Sequence, residues 1–326
     1  KADVLSSHGT GPYLLKEYDP GVKTTLERNP NAWHGNDVAH ADSHEVIAIL
    51  DDTARQSALI SGSVDLINRP ALKGIGRLKK VKGVNILAIP SNLAFTHPMR
   101  MDVPPFDNND FRMALKLSTP RQEFMDKVLF GYGVMGNDQP LGPQFPSYDA
   151  NLKPEYDLDK AKYHLKKAGL EGVKIDLSAS NTSYGGAMDA AQLFQSHWGK
   201  IGVNLNIVRE PQDGYWTNVW NVKPFCTCYW GPRPVEDMIL SICYLSDSPW
   251  NDTLLKNARV DELVVAARGE LDQNKRVAMY QEVQHIIAAV GGTIIPAFGT
   301  DVAAHRDTIG VSDQIGGGWE MDGGHY

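Results

Sequence analysis

The sequence has 326 residues, 42% of them hydrophobic and 22% charged, and a formal net charge of −7. That length is too great for one small core and fits two domains of ordinary soluble composition. No apolar run reaches the roughly 18 residues of a membrane span, and an acidic balance without a Lys/Arg cluster excludes a groove that tracks nucleic-acid phosphates.

The amino terminus, KADVLSSHGTGPY, has no charged segment leading into an apolar one, so it does not read as a signal peptide. It enters strand-rich sequence at once, as the middle of a protein does. Residues 13–18 and 22–27 are β-rich runs around the turn formers Asp19-Pro20-Gly21. Residues 52–60 carry Ala54, Ala58 and Leu59 at helical spacing, with Asp51 or Asp52 as cap and Gly62 as stop. Short strands at 64–67 and 84–89 flank a Lys-rich helical stretch. This alternation predicts an α/β domain.

The paired prolines of MDVPPFD break the chain, and helices are predicted at 109–117 and 121–130. Residues 131–156, rich in Gly, Pro, Asn and Asp, read as a long ordered loop. Asp157 caps a helix faced by Leu158, Ala161, Leu165 and Ala168 and ended by Gly169. A strand at 173–179, an amphipathic helix at 184–201 and a strand at 203–208 then make a β-α-β unit, which implies parallel pairing. Helices follow at 260–269 and 272–290, the second with Val277, Tyr280, Val283 and Ile287 as its core stripe. Gly291-Gly292 ends it, and 293–298 returns as a strand.

Few patterns speak for catalysis. GYGVMG at 131–136 fits the dinucleotide fingerprint, but it follows a predicted helix and precedes Asn-Asp-Gln-Pro, so it reads as a turn. His34, His40 and His44 lack the shared helix that a metal site needs and read as loop residues. Cys226 and Cys228 share one face of a strand and, with Cys243, read as buried thiols. Neither a P-loop nor a Gly-x-Ser-x-Gly elbow occurs, and no cofactor is implied. The aromatics from Tyr215 to Trp250 are read mostly as core. Tyr229 and Trp230 differ, because they end a strand just before the stiff loop GPRP, and ligands of open α/β sheets collect at strand ends.

GTGPYLLKEYDPGVKTTLERNPNAW resembles the corresponding segment of the family 5 extracellular solute-binding proteins, the dipeptide, oligopeptide and nickel-type receptors of ABC importers. The likeness continues in order through SALISGSVDLI, PPFDNNDFRMALKLSTPRQEFMDKVLFGYG, YDLDKAKYHLKKAGL and LDQNKRVAMYQEVQHII. It implies an α/β, periplasmic-binding-protein-like fold (type II, cluster C). In that fold two lobes clamp the solute and present it to a membrane permease, with no chemistry performed on it. It further implies a periplasmic carboxy-terminal fragment in which one lobe is complete and the other partial. Residues 1–100 would form the partial lobe, 101–294 the complete one, and 295–326 the return strand and tail.

Residue by residue, Trp230 and Gly231 match the family's Trp-x-Gly strand end. Dipeptide receptors carry an acid for the peptide amine in the next loop, where this chain has Arg233. They also carry a carboxylate-binding arginine near the strand end that here reads Ser180-Asn181-Thr182-Ser183-Tyr184. Both departures point away from an ordinary dipeptide. The expected ligand face comprises Asn92, Asn181, Tyr184, Tyr229, Trp230, Gly231 and Arg233, whose planar fork suits a carboxylate or phosphate. Glu236 and Asp237 either meet an amine or cap the next helix and neutralise Arg233. The leading expectation is an importer's receptor for a peptide or another small polar solute, anionic ones included. The alternative is a sensory protein that docks on a membrane receptor.

Overall fold

The computed structural model describes residues 9–33 and 39–311, and the helices that begin at Asp52, Asn109, Leu158, Ala258 and Gln273 each start just after a residue whose side-chain oxygen accepts from the first turn. Residues 1–8, the segment 34–38 that holds His34, and the tail from 312 onward lie outside the described residues. The chain divides into two units, Lys1–Ile89 with Asp301–Tyr326, and Pro90–Thr300.

In the first unit, β1 (Tyr13–Asp19), β2 (Lys23–Arg28) and β3 (Ser43–Ile47) form an antiparallel sheet in the order β1-β2-β3. The β1–β2 turn forms at the expected place, with Val22 N donating to Asp19 O at 3.1 Å and Gly21 at φ 76°. Helix α1 (Asp52–Ser61) starts at Asp51, whose carboxylate accepts from Ala54 N, and stops at Gly62 in the left-handed region. After β4 (Leu66–Asn68) comes the short helix α2 (Ile75–Leu78). Leu59, Ile67, Ile75 and Leu78 are all buried.

Strand β5 (Val84–Pro98) is far longer than its sequence signal and runs from the first unit into the second. There follow α3 (Asn109–Leu117), α4 (Arg121–Lys127), β6 (Gly133–Met135), α5 (Leu158–Lys167), β7 (Lys174–Ala179), α6 (Ala187–Gly199) and β8 (Asn204–Arg209). The chain continues through α7 (Tyr215–Asn218), β9 (Cys228–Trp230), α8 (Glu236–Tyr244), α9 (Ala258–Gly269), α10 (Gln273–Val290) and β10 (Thr293–Arg306). Strands β7 and β8 pair in parallel, Lys174 with Asn204 through Ala179 with Arg209, as the β-α-β reading requires. Strand β9 lies antiparallel to β5, with Ala94 opposite Trp230 and Thr96 opposite Cys228, and β6 pairs antiparallel with β10. The carboxyl end of β10 pairs with β4, Ala303 opposite Asn68.

The GYGVMG segment contains β6, which the loop-like composition concealed. Its glycines serve close packing. A Cβ on Gly133 would sit 2.5 Å from Phe298 O, and one on Gly136 would run into Ile295 O. A helix precedes Gly131 and an irregular segment follows Gly136, the reverse of a dinucleotide site.

Buried charge fixes the junction between α10 and β10. The last carbonyls of a helix lack intrahelical donors. Here Lys116 of α3 donates to Ala288 O at 2.8 Å and to Gly291 O at 2.9 Å, and Arg112 donates to Val290 O at 2.7 Å. Both cations also lie at the negative end of the helix dipole. Burial draws Lys116 down to about 8. One step on, Asp138 accepts from Ile295 N at 2.9 Å with one oxygen and from Arg121 Nη2 at 2.5 Å with the other. Arg121 and Asp138 are both almost fully buried. Replacing Asp138 by Ala strands the Arg121 charge and frees the β10 amide. Urea titration of Asp138→Ala is therefore expected to show a loss of about 3–5 kcal/mol, and a loss below about 1 kcal/mol contradicts this assignment.

Candidate functional site

The expected ligand-contacting residues fall on segments of the second unit that leave β7 and β9 or lie on β5. Ser180 and Ser183, just past β7, tie to the β9 approach: Ser183 Oγ and Thr227 Oγ1 are 2.7 Å apart, and Tyr215 Oη donates to Thr227 O at 2.7 Å. Strand pairing then sets Tyr229 and Trp230 beside Phe95 and Ala94. The structure thus brings the β7 exit and the β9 exit to one edge.

Not every expected residue faces out there. Tyr184 is a correction: it is 7% exposed, with its ring 4.9 Å from that of Phe95 and its hydroxyl 2.8 Å from His97 Nε2. It belongs to the core: α6 begins only at Ala187, and in the turn before it the Tyr184 ring packs against those of Phe95 and Phe124. Burial draws the His97 imidazole down to about 3, so this partner stays neutral. Asn181 is exposed, and its Oδ1 accepts from Met188 N at 3.2 Å in the first turn of α6. Asn92 accepts from Gln144 N at 3.2 Å and so fastens the 142–144 loop.

The loop after β9 holds the remaining residues. Trp230 is 7% exposed and joins the core under α8, α9 and α10. Gly231 and Arg233 are half-buried. Arg233 Nη1 donates to Gly231 O at 3.0 Å and to Pro232 O at 3.1 Å, so the guanidinium folds back along its own loop. The two acids do not neutralise it. Glu236 accepts from Ser147 Oγ at 2.8 Å, and Asp237 pairs with Arg268 Nε at 2.7 Å and accepts from Ser241 Oγ at 3.0 Å. Both stand in the first turn of α8, whose cap Val235 offers no side-chain acceptor, and their charge suits that helix end.

Spacing alone did not reveal one feature of this edge. Trp216, Trp220, Trp230 and Trp250 form a connected ring network, with Tyr229 5.6 Å from Trp216. The density of aromatics in this region was its only sequence signal. At its base Trp220 Nε1 donates to Asp252 Oδ2 at 3.0 Å, and Asp252 is 4% exposed. Burial pushes the Asp252 carboxyl up to about 6, against the opposing pull of the indole donors.

The cysteines Cys226, Cys228 and Cys243 are buried free thiols, with burial raising each above the ordinary thiol range. Among the described residues no group of three or more His, Cys, Asp or Glu is placed to hold a metal, and no helix is long and apolar enough to cross a membrane.

Comparison with known proteins matches this geometry to one family. The model of the bacterial extracellular solute-binding proteins, family 5 Middle, matches residues 5–252. A dipeptide-binding protein of Pseudomonas aeruginosa is 29% identical over 291 residues, covering 86% of this chain and 54% of its own length. Heme-binding protein A of Haemophilus influenzae is 26% identical, covering 88% of this chain and 54% of its own length. The chain therefore spans about half the length of these curated relatives. Among solved structures, NikZ from Campylobacter jejuni in complex with Ni(L-His) superposes with a TM-score of 0.87 at 18% identity, covering 98% of this chain and 68% of that one. The dipeptide-binding protein of Pseudoalteromonas sp. SM9913 in complex with Met-Leu superposes with a TM-score of 0.83 at 24% identity, covering 93% and 62%. These superpositions establish the type II binding-protein fold.

Asp252 makes stability depend on pH. In the folded chain it keeps its proton up to about 6, whereas the unfolded chain releases it near 3.8. Between those values the folded state holds the extra proton, so stability falls as pH rises, and above them the cost stays constant. Asp252→Asn is expected to gain roughly 2–3 kcal/mol relative to the parent between pH 4 and pH 7.5. Denaturant titrations at the two pH values check this, and an unchanged difference contradicts it.

Proposed function

Since the chain belongs to the bacterial extracellular solute-binding proteins, family 5, we propose that it is part of the substrate-binding component of an ABC importer. In this reading the protein works in the periplasm, takes up a peptide or another small polar solute and hands it to a membrane permease. The proposal assigns no bond-making or bond-breaking step to the chain. It matches what is named for several relatives, which include dipeptide-binding and glutathione-binding proteins and a peptide transport periplasmic protein.

The observation that carries the ligand assignment is Arg233. It sits at the β9 exit between two prolines, and among the described residues its only hydrogen-bond acceptors are the carbonyls of Gly231 and Pro232. A guanidinium without a carboxylate partner, on a loop held stiff by proline, is suited to a ligand carboxylate or phosphate through a two-pronged contact. Tyr229 and Gly231 flank it, and Asn181 lies at the neighbouring strand exit. Glu236 and Asp237, engaged with Ser147 and Arg268, shape the loop from behind.

A thermal-shift screen against peptides, opines and sugars tests the reading, and at least one class is expected to raise the melting temperature. Silence across the whole panel contradicts it. Arg233→Ala is expected to weaken binding of the responding solute by two orders of magnitude or more, as loss of a buried charged contact does. Its stability should change by only about 0.5 kcal/mol, because only bonds to its own loop are lost. A variant that binds normally refutes the role given to Arg233.

A further inference from the structure

Three pairs of the four indoles near β9 pack edge to face, Trp216 to Trp220 at 6.2 Å, Trp220 to Trp230 at 6.0 Å and Trp220 to Trp250 at 6.0 Å, and Trp230 lies tilted against Trp250 at 6.2 Å. Core packing accounts for Trp230 and much of Trp220, but it leaves Trp216 40% and Trp250 49% exposed. Rings of that size are rarely left at a surface in a cluster unless something covers them.

What lies under the network points to what covers it. Asp252 is a buried carboxylate that accepts from Trp220 Nε1 at 3.0 Å. Among the described residues no basic side chain pairs with it. A carboxylate drawing on an indole N–H leaves the ring richer in electrons, and a ring face attracts cations through its negative quadrupole. The buried carboxylate charge adds to that attraction through a medium of low dielectric. A purely apolar cover would satisfy the exposed indoles and leave the charge of Asp252 uncompensated.

We infer that Trp216 and Trp250, backed by Trp220, Trp230 and Asp252, form a subsite for a cationic group of the solute, a guanidinium or an alkylammonium. The ring faces make the contact, while Asp252 acts through the indoles as a positioning residue and never reaches the ligand. This rests on the reading of the chain as a solute receptor, and it adds a charge preference that Arg233 does not supply.

Isothermal titration calorimetry with an arginine-containing tripeptide and its citrulline counterpart tests the inference, since citrulline keeps the shape and removes the charge. The parent is expected to bind the arginine form roughly tenfold more tightly. In Asp252→Asn and in Trp250→Leu the ratio of the two affinities is expected to fall towards one. The Asn variant keeps the shape of the site and so guards against a trivial loss of folding. Equal affinity of the parent for both forms overturns the subsite and leaves the receptor reading standing. Failure to bind either form, while another solute of the thermal-shift panel is bound, does the same. Silence towards both tripeptides and the whole panel removes the receptor reading and the subsite together.

Discussion

The carbonyl end of α10 is the point on which the second unit depends. A helix of 18 residues ends against α3 and passes through the buried Gly291-Gly292 into β10, leaving its last carbonyls without intrahelical donors. Lys116 and Arg112, both almost fully buried on α3, satisfy those acceptors. Asp138 then fixes the Ile295 amide near the start of β10 and is itself held by Arg121. Three cations and one carboxylate from segments more than 150 residues away in sequence thereby set where β10 begins. Once that origin is fixed, β6 and β5 take their places beside it, and β9 is aligned on β5.

The edge that carries the candidate ligand contacts inherits this order. Strand β9 is only three residues long, too short to hold its exit loop by pairing alone. The Ser183–Thr227–Tyr215 hydrogen bonds brace it from the side of β7, and the indole network braces it from the side of α7. The loop beyond it is stiffened by Pro232 and Pro234, and Glu236 and Asp237 are anchored to Ser147 and Arg268. Arg233 is left as a charge without a carboxylate partner on a rigid mount, and a rigid mount lowers the entropy cost of binding.

Local signals in the sequence were read well. The cap Asp157, the cap at Asp51 that the sequence left open between Asp51 and Asp52, the turn at Asp19-Pro20-Gly21 and the parallel β7–β8 unit all stand where residue chemistry placed them. The ordered blocks of family likeness carried the fold. What spacing could not supply were pairings over long separations. Glu236 meets Ser147 across 89 residues and Asp237 meets Arg268 across 31, so a local ion pair with Arg233 looked equally good from the sequence. Tyr184 looked like a strand-end residue because its core partner His97 lies 87 positions away. Strand β6 was hidden because its glycines answer to the backbone of β10, which composition does not show. Asp252 gave no sign either, since only its burial among distant indoles sets it apart.

Hydrogen–deuterium exchange with and without a solute that raises the melting temperature would test the central claim most directly. If recognition is centred on the β9 exit, protection is expected to concentrate in residues 229–237 and in 214–222, with the α10 end at 287–295 equally slow in both states. Protection confined to other segments, with 229–237 unchanged, would contradict the account.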